Sequence, residues 1–392
     1  MRHHIVTRLG FMALAFALLP SDAGADQPPL RIGFIQTFSG GFTQAGKASM
    51  AAIGTFMKEH GDSVGGRKVE IIQRDDGGAA PDTAKRLAQE LIVQDHADIL
   101  MGLTFSPNAK AVGEISTQAK KLVLINNAAA NGILEPNPYL VRFSYTEGQL
   151  TAPLADWALK NNIRKVFAIY LDYAPGIDAL AGFRSAFTAG GGSMVGEVRV
   201  PMGSTDFSAY VQRIRDAKPQ AVFAFLTISG APFLKAWQEA GGDPRTGIKI
   251  FATGDLTAES SLPIFGDSGL GVITAMNYSA AHKSELNSRL KRDMHAIDPS
   301  VEEPDFGSVA TYDIMNAIYK AVGAQHGNVD PDKTLSLIRG MKLESARGPI
   351  QIDPQTRDIV QNIYIRRVDK VDGRYQNTEI ATYPMVHDPL EH

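Results

Sequence analysis

Leu30-Arg31-Ile32-Gly33-Phe34-Ile35-Gln36 runs into Thr37-Phe38-Ser39-Gly40-Gly41-Phe42, and a third stretch follows from Ala45 to Glu59. The first seven residues have the length and apolar character of a buried strand. The next six are turn-forming, and the third stretch reads as a helix. The same strand, loop, helix order recurs down the chain. Lys68 to Arg74 alternates as a strand, and Ala84, Leu87, Ala88, Leu91 and Ile92 share one helical face. Strand Asp98 to Met101, a helix after Pro107, strand Leu122 to Ile125 and the extended piece Tyr139 to Phe143 complete a first series.

A second series opens near Glu147. Leu150, Leu154, Trp157 and Ala158 form an apolar helical face, followed by strand Lys165 to Leu171 and a helix from Pro175 to Ala189. Gly190-Gly191-Gly192 ends that helix and leads into Ser193 to Val200. Then come helix Phe207 to Asp216, strand Ala221 to Leu226, a helix ending at Gly241, and strand Lys249 to Ala252. Val272 to Tyr278 is extended. Helices over Ser284 to Met294 and Phe306 to Ala324 follow, with strand signals at Gly348 to Ile352 and Asn362 to Val368. Strands alternating with helices of this length predict doubly wound parallel sheets covered on both faces. There are too many units for one sheet, so the fold class is α/β with two such lobes, divided near residue 146.

Composition narrows the function. The chain has 392 residues, 44% of them apolar and 21% charged, which suits two globular domains. A net charge of −3 argues against a nucleic-acid partner, and no basic run invites anionic lipid. There is no cysteine, which excludes disulfides, cysteine–zinc sites, iron–sulfur clusters and thiol nucleophiles. The nine His are scattered, and no Gly-x-Ser-x-Gly elbow, His-Glu-x-x-His pair or phosphate loop occurs. Asp305-Phe306-Gly307 lacks any kinase context. Asp75-Asp76 ends a strand with no third ligand near in sequence, so it reads as a solvated end and not a metal site. No cofactor, no metal and no catalytic residue is expected. A secreted hydrolase with two α/β lobes, or a ligand-sensing ectodomain, are the alternatives of another class.

Arg2 and Arg8 precede an apolar stretch, Leu9 to Leu19, and Ala23-Gly24-Ala25 supplies small residues for cleavage. That order predicts an export signal over 1–25 and a periplasmic product. The apolar stretch is well short of the roughly 20 residues that span a bilayer. Without cysteine at the cleavage site no thioether lipid can attach, so no direct membrane anchor is expected.

In open parallel sheets ligands bind beyond the carboxyl ends of the strands. Phe38 and Phe42 follow the first strand. Phe105 and Ser106 follow the third, and Asn126-Asn127-Ala128-Ala129-Ala130 the fourth. In the second lobe the equivalent loops hold Asp172-Tyr173-Ala174-Pro175-Gly176, Thr227 to Gly230, and Thr253-Gly254-Asp255-Leu256. These loops carry small, hydroxyl, amide or aromatic residues, and no His or Lys. Ser106 before Pro107 reads as a helix N-cap, either a plain cap or a seat for a carboxylate. Tyr173 is a candidate to close over a ring, or a surface tyrosine. Asp255 is a candidate acceptor for an ammonium or hydroxyl, or a turn residue. The phenylalanines are candidate apolar walls, with ordinary packing expected for at least one.

The opening Ile32-Gly33-Phe34 with Ser39-Gly40, then Gly65-Gly66-Arg67-Lys68-Val69-Glu70 and Asp75-Asp76, resembles the branched-chain amino-acid-binding proteins of ABC importers. These are type I periplasmic binding proteins. The likeness continues through Gly102, Asp172 to Gly176 and Asp206-Phe207, over most of residues 30–370. It implies three crossings between lobes: lobe one at 30–146 plus 277–348, lobe two at 147–276 plus 349–386, joined by a three-stranded hinge. It also implies a monomer that captures a small carboxylate and delivers it to a permease in the inner membrane. The family's carboxylate-holding positions fall on Ser106, Ala128 and Ala130, and its ammonium-holding acid on Asp255. Amino-acid-binding members usually carry Thr where Ala130 stands, and a family aromatic falls near Thr227. Asp172 to Gly176 with Phe187 to Gly192 is similar to the branch that binds aromatic carboxylates. The expected ligand is therefore an aromatic acid, with a branched-chain or other amino acid as the alternative. The expected ligand-binding set is Phe42, Phe105, Ser106, Asn127, Ala128, Ala129, Tyr173, Thr227, Asp255 and Tyr278.

Overall fold

The computed structural model describes residue 1 and residues 27–389. The expected export signal, Met1 apart, lies outside the described residues. The first series builds β1 (Leu30–Gln36), α1 (Thr43–His60), β2 (Ser63–Val64), β3 (Arg67–Asp75), α2 (Pro81–Val93), β4 (Ile99–Gly102), α3 (Ser106–Ala119), β5 (Val123–Ile125) and β6 (Leu140–Arg142). The second builds α4 (Glu147–Lys160), β7 (Lys165–Leu171), α5 (Ala174–Ala189), β8 (Ser193–Val200), α6 (Ser208–Asp216), β9 (Ala221–Phe225), α7 (Gly230–Glu239), β10 (Lys249–Thr253), α8 (Leu262–Phe265) and β11 (Ile273–Met276). The remainder is α9 (Glu285–Ile297), α10 (Phe306–Gly323), α11 (Pro331–Ile338), β12 (Lys342–Ser345), β13 (Gly348–Ile352), β14 (Ile359–Val371) and β15 (Arg374–Val386).

Two doubly wound sheets result. The first runs β2-β3-β1-β4-β5-β6, parallel except for the short edge strand β2. The second contains β8-β7-β9-β10-β11, also parallel, and adds β14 antiparallel to β11, with β13 and β15 paired to β14. In both lobes the first strand of the unit, β1 or β7, lies between its second and third. The winding reverses there and leaves a crevice at the strand ends. Ile32 and Phe34 pack with Phe56 and Ile314 on one face of the first sheet. Ile35 and Leu100 pack with Leu87, Leu91 and Val112 on the other. At that reversal Gly102 has φ +111°, and a Cβ there would sit 2.1 Å from the Ile35 carbonyl oxygen, so only glycine lets β4 end against β1.

The chain joins the lobes after β6, after β11, and along the start of β14. One buried residue from each passage meets the others. Asn277 Nδ2 donates to Ser144 O at 3.0 Å, Gln361 Nε2 donates to the same oxygen at 2.8 Å, and Asn277 Nδ2 also reaches Gln361 Oε1 at 3.1 Å. Such a buried polar knot fixes the register of the three segments because breaking any bond strands a dry polar group. β12 and β13 belong by hydrogen bonding to the second sheet, yet Leu343, Ile350 and Ile352 pack in the first-lobe core together with Ile359 at the start of β14. β14 therefore begins in one lobe and ends in the other.

Candidate ligand-binding cleft

The two crevices open onto one gap. A cavity of about 310 Å³ lies there, lined from both lobes. Phe42, Phe105, Ser106, Asn127 and Ala129 line it from the first, and Tyr173, Thr227 and Asp255 from the second. Ala128 and Tyr278 lie outside that lining. The Ala128 N–H is spent on Leu103 O at 3.0 Å, its carbonyl accepts the Ser144 hydroxyl, and its methyl packs with Val112 and Ile125. Neighbours in an extended segment face opposite ways, which is why Asn127 and Ala129 look into the gap and Ala128 looks away. Tyr278 is fully buried in the core, its hydroxyl donating to Asn287 Oδ1 at 2.7 Å. Phe38 packs edge-on against Phe34 at 5.6 Å, so it serves the core.

Ser106 departs from the expected cap. Phe105 has the extended backbone of the N-cap position with no side-chain cap bond, and Ser106 is the first helical residue of α3. Its Oγ instead accepts the Ala130 N–H at 3.1 Å. A hydroxyl has one proton to give, so with an acceptor site used on the loop, the Ser106 O–H stays available to an anion. The unpaired first N–H groups of α3 add positive potential at the same end. Asp76 also departs from its reading as a solvated end. It is buried, accepting Thr37 Oγ1 at 2.6 Å and Asn108 Nδ2 at 2.8 Å, and so ties the β1 loop to α3. Among the described residues no cluster of three or more metal-ligating side chains forms.

Three acids also line the cavity. Asp255 Oδ1 accepts the Tyr145 hydroxyl at 2.7 Å, while Oδ2 is buried with no partner. Burial pushes this carboxyl upward, against hydrogen bonds from Tyr145 and Thr253 and the charge of Arg366. Glu147, only 1% exposed, opens α4 directly after the reciprocal Thr146–Gln149 cap, and its Oε2 is likewise unpartnered. Burial first, then the negative charges of Asp255 and Asp178, push Glu147 well above the ordinary carboxylate range, with Arg142 opposing. Asp305, the N-cap of α10, is also pushed up by burial, though Ser308 N–H hydrogen-bonds it. No Lys, Arg or His is among the described residues lining the cavity. Aromatic pairs line it too: Phe42 on Phe105 at 5.1 Å, Tyr173 beside Phe225 at 6.0 Å, and Tyr145 edge-on to Phe306 at 5.7 Å.

Sequence reasoning missed Gln36, Ser49, Tyr145, Glu147, Asp305 and Phe306, all of which line the cavity. Gln36 carries the same signal that found its neighbours, being the last residue of a parallel strand. Tyr145 and Glu147 lie on the first passage between lobes, and Asp305 and Phe306 on a helix start beyond the second. Only the crossing topology brings those positions to the gap. Ser49 sits inside α1 and has no local signal.

Hydroxyl and amide groups, buried acids and aromatic rings line one cavity, with no nucleophile–base pair among them, and make a container for a small molecule. A family model described as periplasmic binding protein matches residues 29–374. The chain belongs to that family. It is a substrate-binding protein of the ABC-transporter type and not an enzyme. A Brucella abortus protein named Leu/Ile/Val-binding protein homolog 6 is 41% identical over 386 residues, spanning 97% of this chain and 98% of that one. A solute-binding protein of an ABC transporter from Rhodopseudomonas palustris BisB5, solved with 3,4-dihydroxybenzoic acid, is 43% identical. It superposes with a TM-score of 0.87 over 92% of this chain and 99% of its own. A second, from Rhodopseudomonas palustris HaA2 with p-hydroxybenzoic acid, is 38% identical, with a TM-score of 0.89 over 93% and 99%. This chain shares the type I fold of two mixed α/β lobes with both solved structures. Among the described residues of this binding protein no helix is long and apolar enough to cross a membrane.

Proposed function

We propose that this binding protein is exported by its 1–25 signal, captures an aromatic carboxylate bearing a ring hydroxyl, and passes it as a monomer to an inner-membrane ABC permease. The observation that carries the reading is the set of groups that one cavity gathers from both lobes. Ser106 and the start of α3 suit a carboxylate, the Phe42–Phe105 and Tyr173–Phe225 pairs suit a ring, and the unpartnered Asp255 Oδ2 suits a hydroxyl donor. Relatives at 43% and 38% identity hold hydroxybenzoic acids. The 30–146 and 277–348 body seizes the carboxylate, and the 147–276 and 349–386 body closes over the ring. Contacts made only in the shut form drive closure as a population shift. Micromolar capture needs about 8 kcal/mol, within reach of a few charge-assisted hydrogen bonds and one buried ring.

A branched-chain amino acid is the second reading. Two buried acids with unpartnered oxygens also suit an ammonium, and the Brucella relatives are named for Leu, Ile and Val. Calorimetry with benzoate, 4-hydroxybenzoate, leucine and valine separates the two. Binding of hydroxybenzoate with no heat from the amino acids supports the aromatic reading, and the reverse pattern overturns it.

A further inference from the structure

Asp255 accounts for one hydroxyl, and the cleft holds a second buried carboxyl that the reading above does not use. Glu147 is fixed at the first turn of α4 by the Thr146–Gln149 capping box, its backbone carbonyl held by Thr151 Oγ1 at 2.7 Å. Its side chain cannot swing to water, since the residue is 1% exposed, and Oε2 has no hydrogen-bond partner. Arg142 does not satisfy it. That guanidinium is committed to Asp358 at 3.0 Å and to the carbonyls of Ala129, Ala130 and Tyr145. A buried, unsatisfied acceptor in a binding cavity costs free energy until a ligand supplies a donor. The same is true of Asp255 Oδ2, and both residues line the one cavity. A ligand with one hydroxyl satisfies one of these oxygens and leaves the other stranded.

We propose that Glu147 and Asp255 form a paired acceptor for two neighbouring ring hydroxyls, and that Glu147 is the residue that separates dihydroxy from monohydroxy aromatic acids. This rests on the aromatic-acid reading. In either protonation state a carboxyl keeps an acceptor oxygen, so the pairing works with Glu147 neutral, which also lets the anionic ligand approach without meeting two charges.

Titration calorimetry with 3,4-dihydroxybenzoate, 4-hydroxybenzoate, 3-hydroxybenzoate and benzoate tests it, on the wild type, Glu147→Leu and Glu147→Gln. The wild type should prefer the dihydroxy acid over the 4-hydroxy acid by about tenfold, the size of one hydrogen bond to an otherwise unsatisfied buried acceptor. It should also bind 3-hydroxybenzoate more tightly than benzoate. Glu147→Leu, similar in bulk but without an acceptor, should bring the two hydroxy acids to within about threefold of each other, as loss of a single hydrogen bond requires. Its folding is read separately, from circular dichroism and its melting transition. Glu147→Gln should keep much of the preference through its carbonyl. Equal wild-type affinities for the dihydroxy and 4-hydroxy acids, or a preference that survives in Glu147→Leu, would overturn the proposal while leaving the aromatic reading intact. Should Glu147→Leu fail to fold, equal wild-type binding of 3-hydroxybenzoate and benzoate overturns it alone. A protein that binds leucine and no benzoate removes both readings.

Discussion

The Tyr145 hydroxyl donates to Asp255 Oδ1 across 2.7 Å, joining the first passage between the lobes to the site acid of the second lobe. The bond fixes the orientation of the Asp255 carboxyl, whose Oδ2 has no partner. It also holds the carboxyl down against the burial that pushes it up. Tyr145→Phe keeps the ring against Phe306 and removes the proton. Losing one hydrogen bond to a buried carboxyl is expected to cost about 1–2 kcal/mol of stability and to weaken hydroxybenzoate roughly tenfold. Benzoate, which has no hydroxyl for Asp255, should be much less affected. Calorimetry on both ligands checks this, and an equal loss for both would show that Tyr145 acts on the fold and not through Asp255.

Ser106 is tested by the ligand's other end. Ser106→Ala removes the O–H aimed at a carboxylate and strands the Ala130 N–H that its oxygen accepts. Affinity for every carboxylate in the panel should fall by about tenfold, whether or not the ring carries a hydroxyl, because one charge-assisted bond is lost. An unchanged dissociation constant would remove Ser106 from the site.

What was legible in the sequence divides along physical lines. Strands buried on both faces, such as Leu30–Gln36 and Lys165–Leu171, announce themselves as apolar runs whatever packs on them. β15 over Arg374–Val386 did not, because one long edge is open and its residues are mixed in polarity. It is held by pairing with β14, and only the Asp372-Gly373 turn marks the hairpin locally. In the cleft, loops that follow strands were readable from topology. Glu147 was not, because its sequence context is an ordinary helix start, while the acids that act on it, Asp255 and Asp178, are distant in sequence. Ser106 was expected as a cap, and the structure replaces that reason: it lines the cavity and its Oγ accepts the Ala130 N–H.

Arg142 supports that carboxylate-side loop from beneath. It is fully buried, pairs with Asp358 at 3.0 Å, and donates to Ala129 O and Ala130 O at 3.2 and 2.9 Å. Arg142→Met leaves Asp358 buried without its partner and frees the 129–130 segment. Breaking such a pair from one side is expected to cost about 3–5 kcal/mol. Chemical denaturation measures the loss. Asp358→Asn in the Arg142→Met background should recover part of it, because the stranded charge is gone. A double variant no more stable than the single one would show that the loop contacts, and not the ion pair, carry the effect.

The acids of the cavity give pH a direction. Glu147 is raised well above the ordinary glutamate range, so the folded protein holds a proton there that the unfolded chain has released. Its stabilising share is complete below the unfolded pKa and is lost as pH rises through the folded value. Glu147→Gln cannot ionise. Its melting temperature should therefore gain on the wild type as pH climbs from the ordinary glutamate range into the alkaline region. Asp255 is raised in the same sense, by burial, and Asp178 and Asp388 add negative charge near Glu147 against Arg142. An anionic ligand sharing the cavity with these groups is disfavoured once they ionise, since no basic side chain lines the described cavity to offset them. Wild-type affinity for a benzoate is thus expected to fall with rising pH above the ligand's own pKa, with proton uptake on binding. Calorimetry in buffers of different ionisation enthalpy reads that uptake directly. Glu147→Gln should show less of it, and an identical uptake in variant and wild type would place the proton on another group.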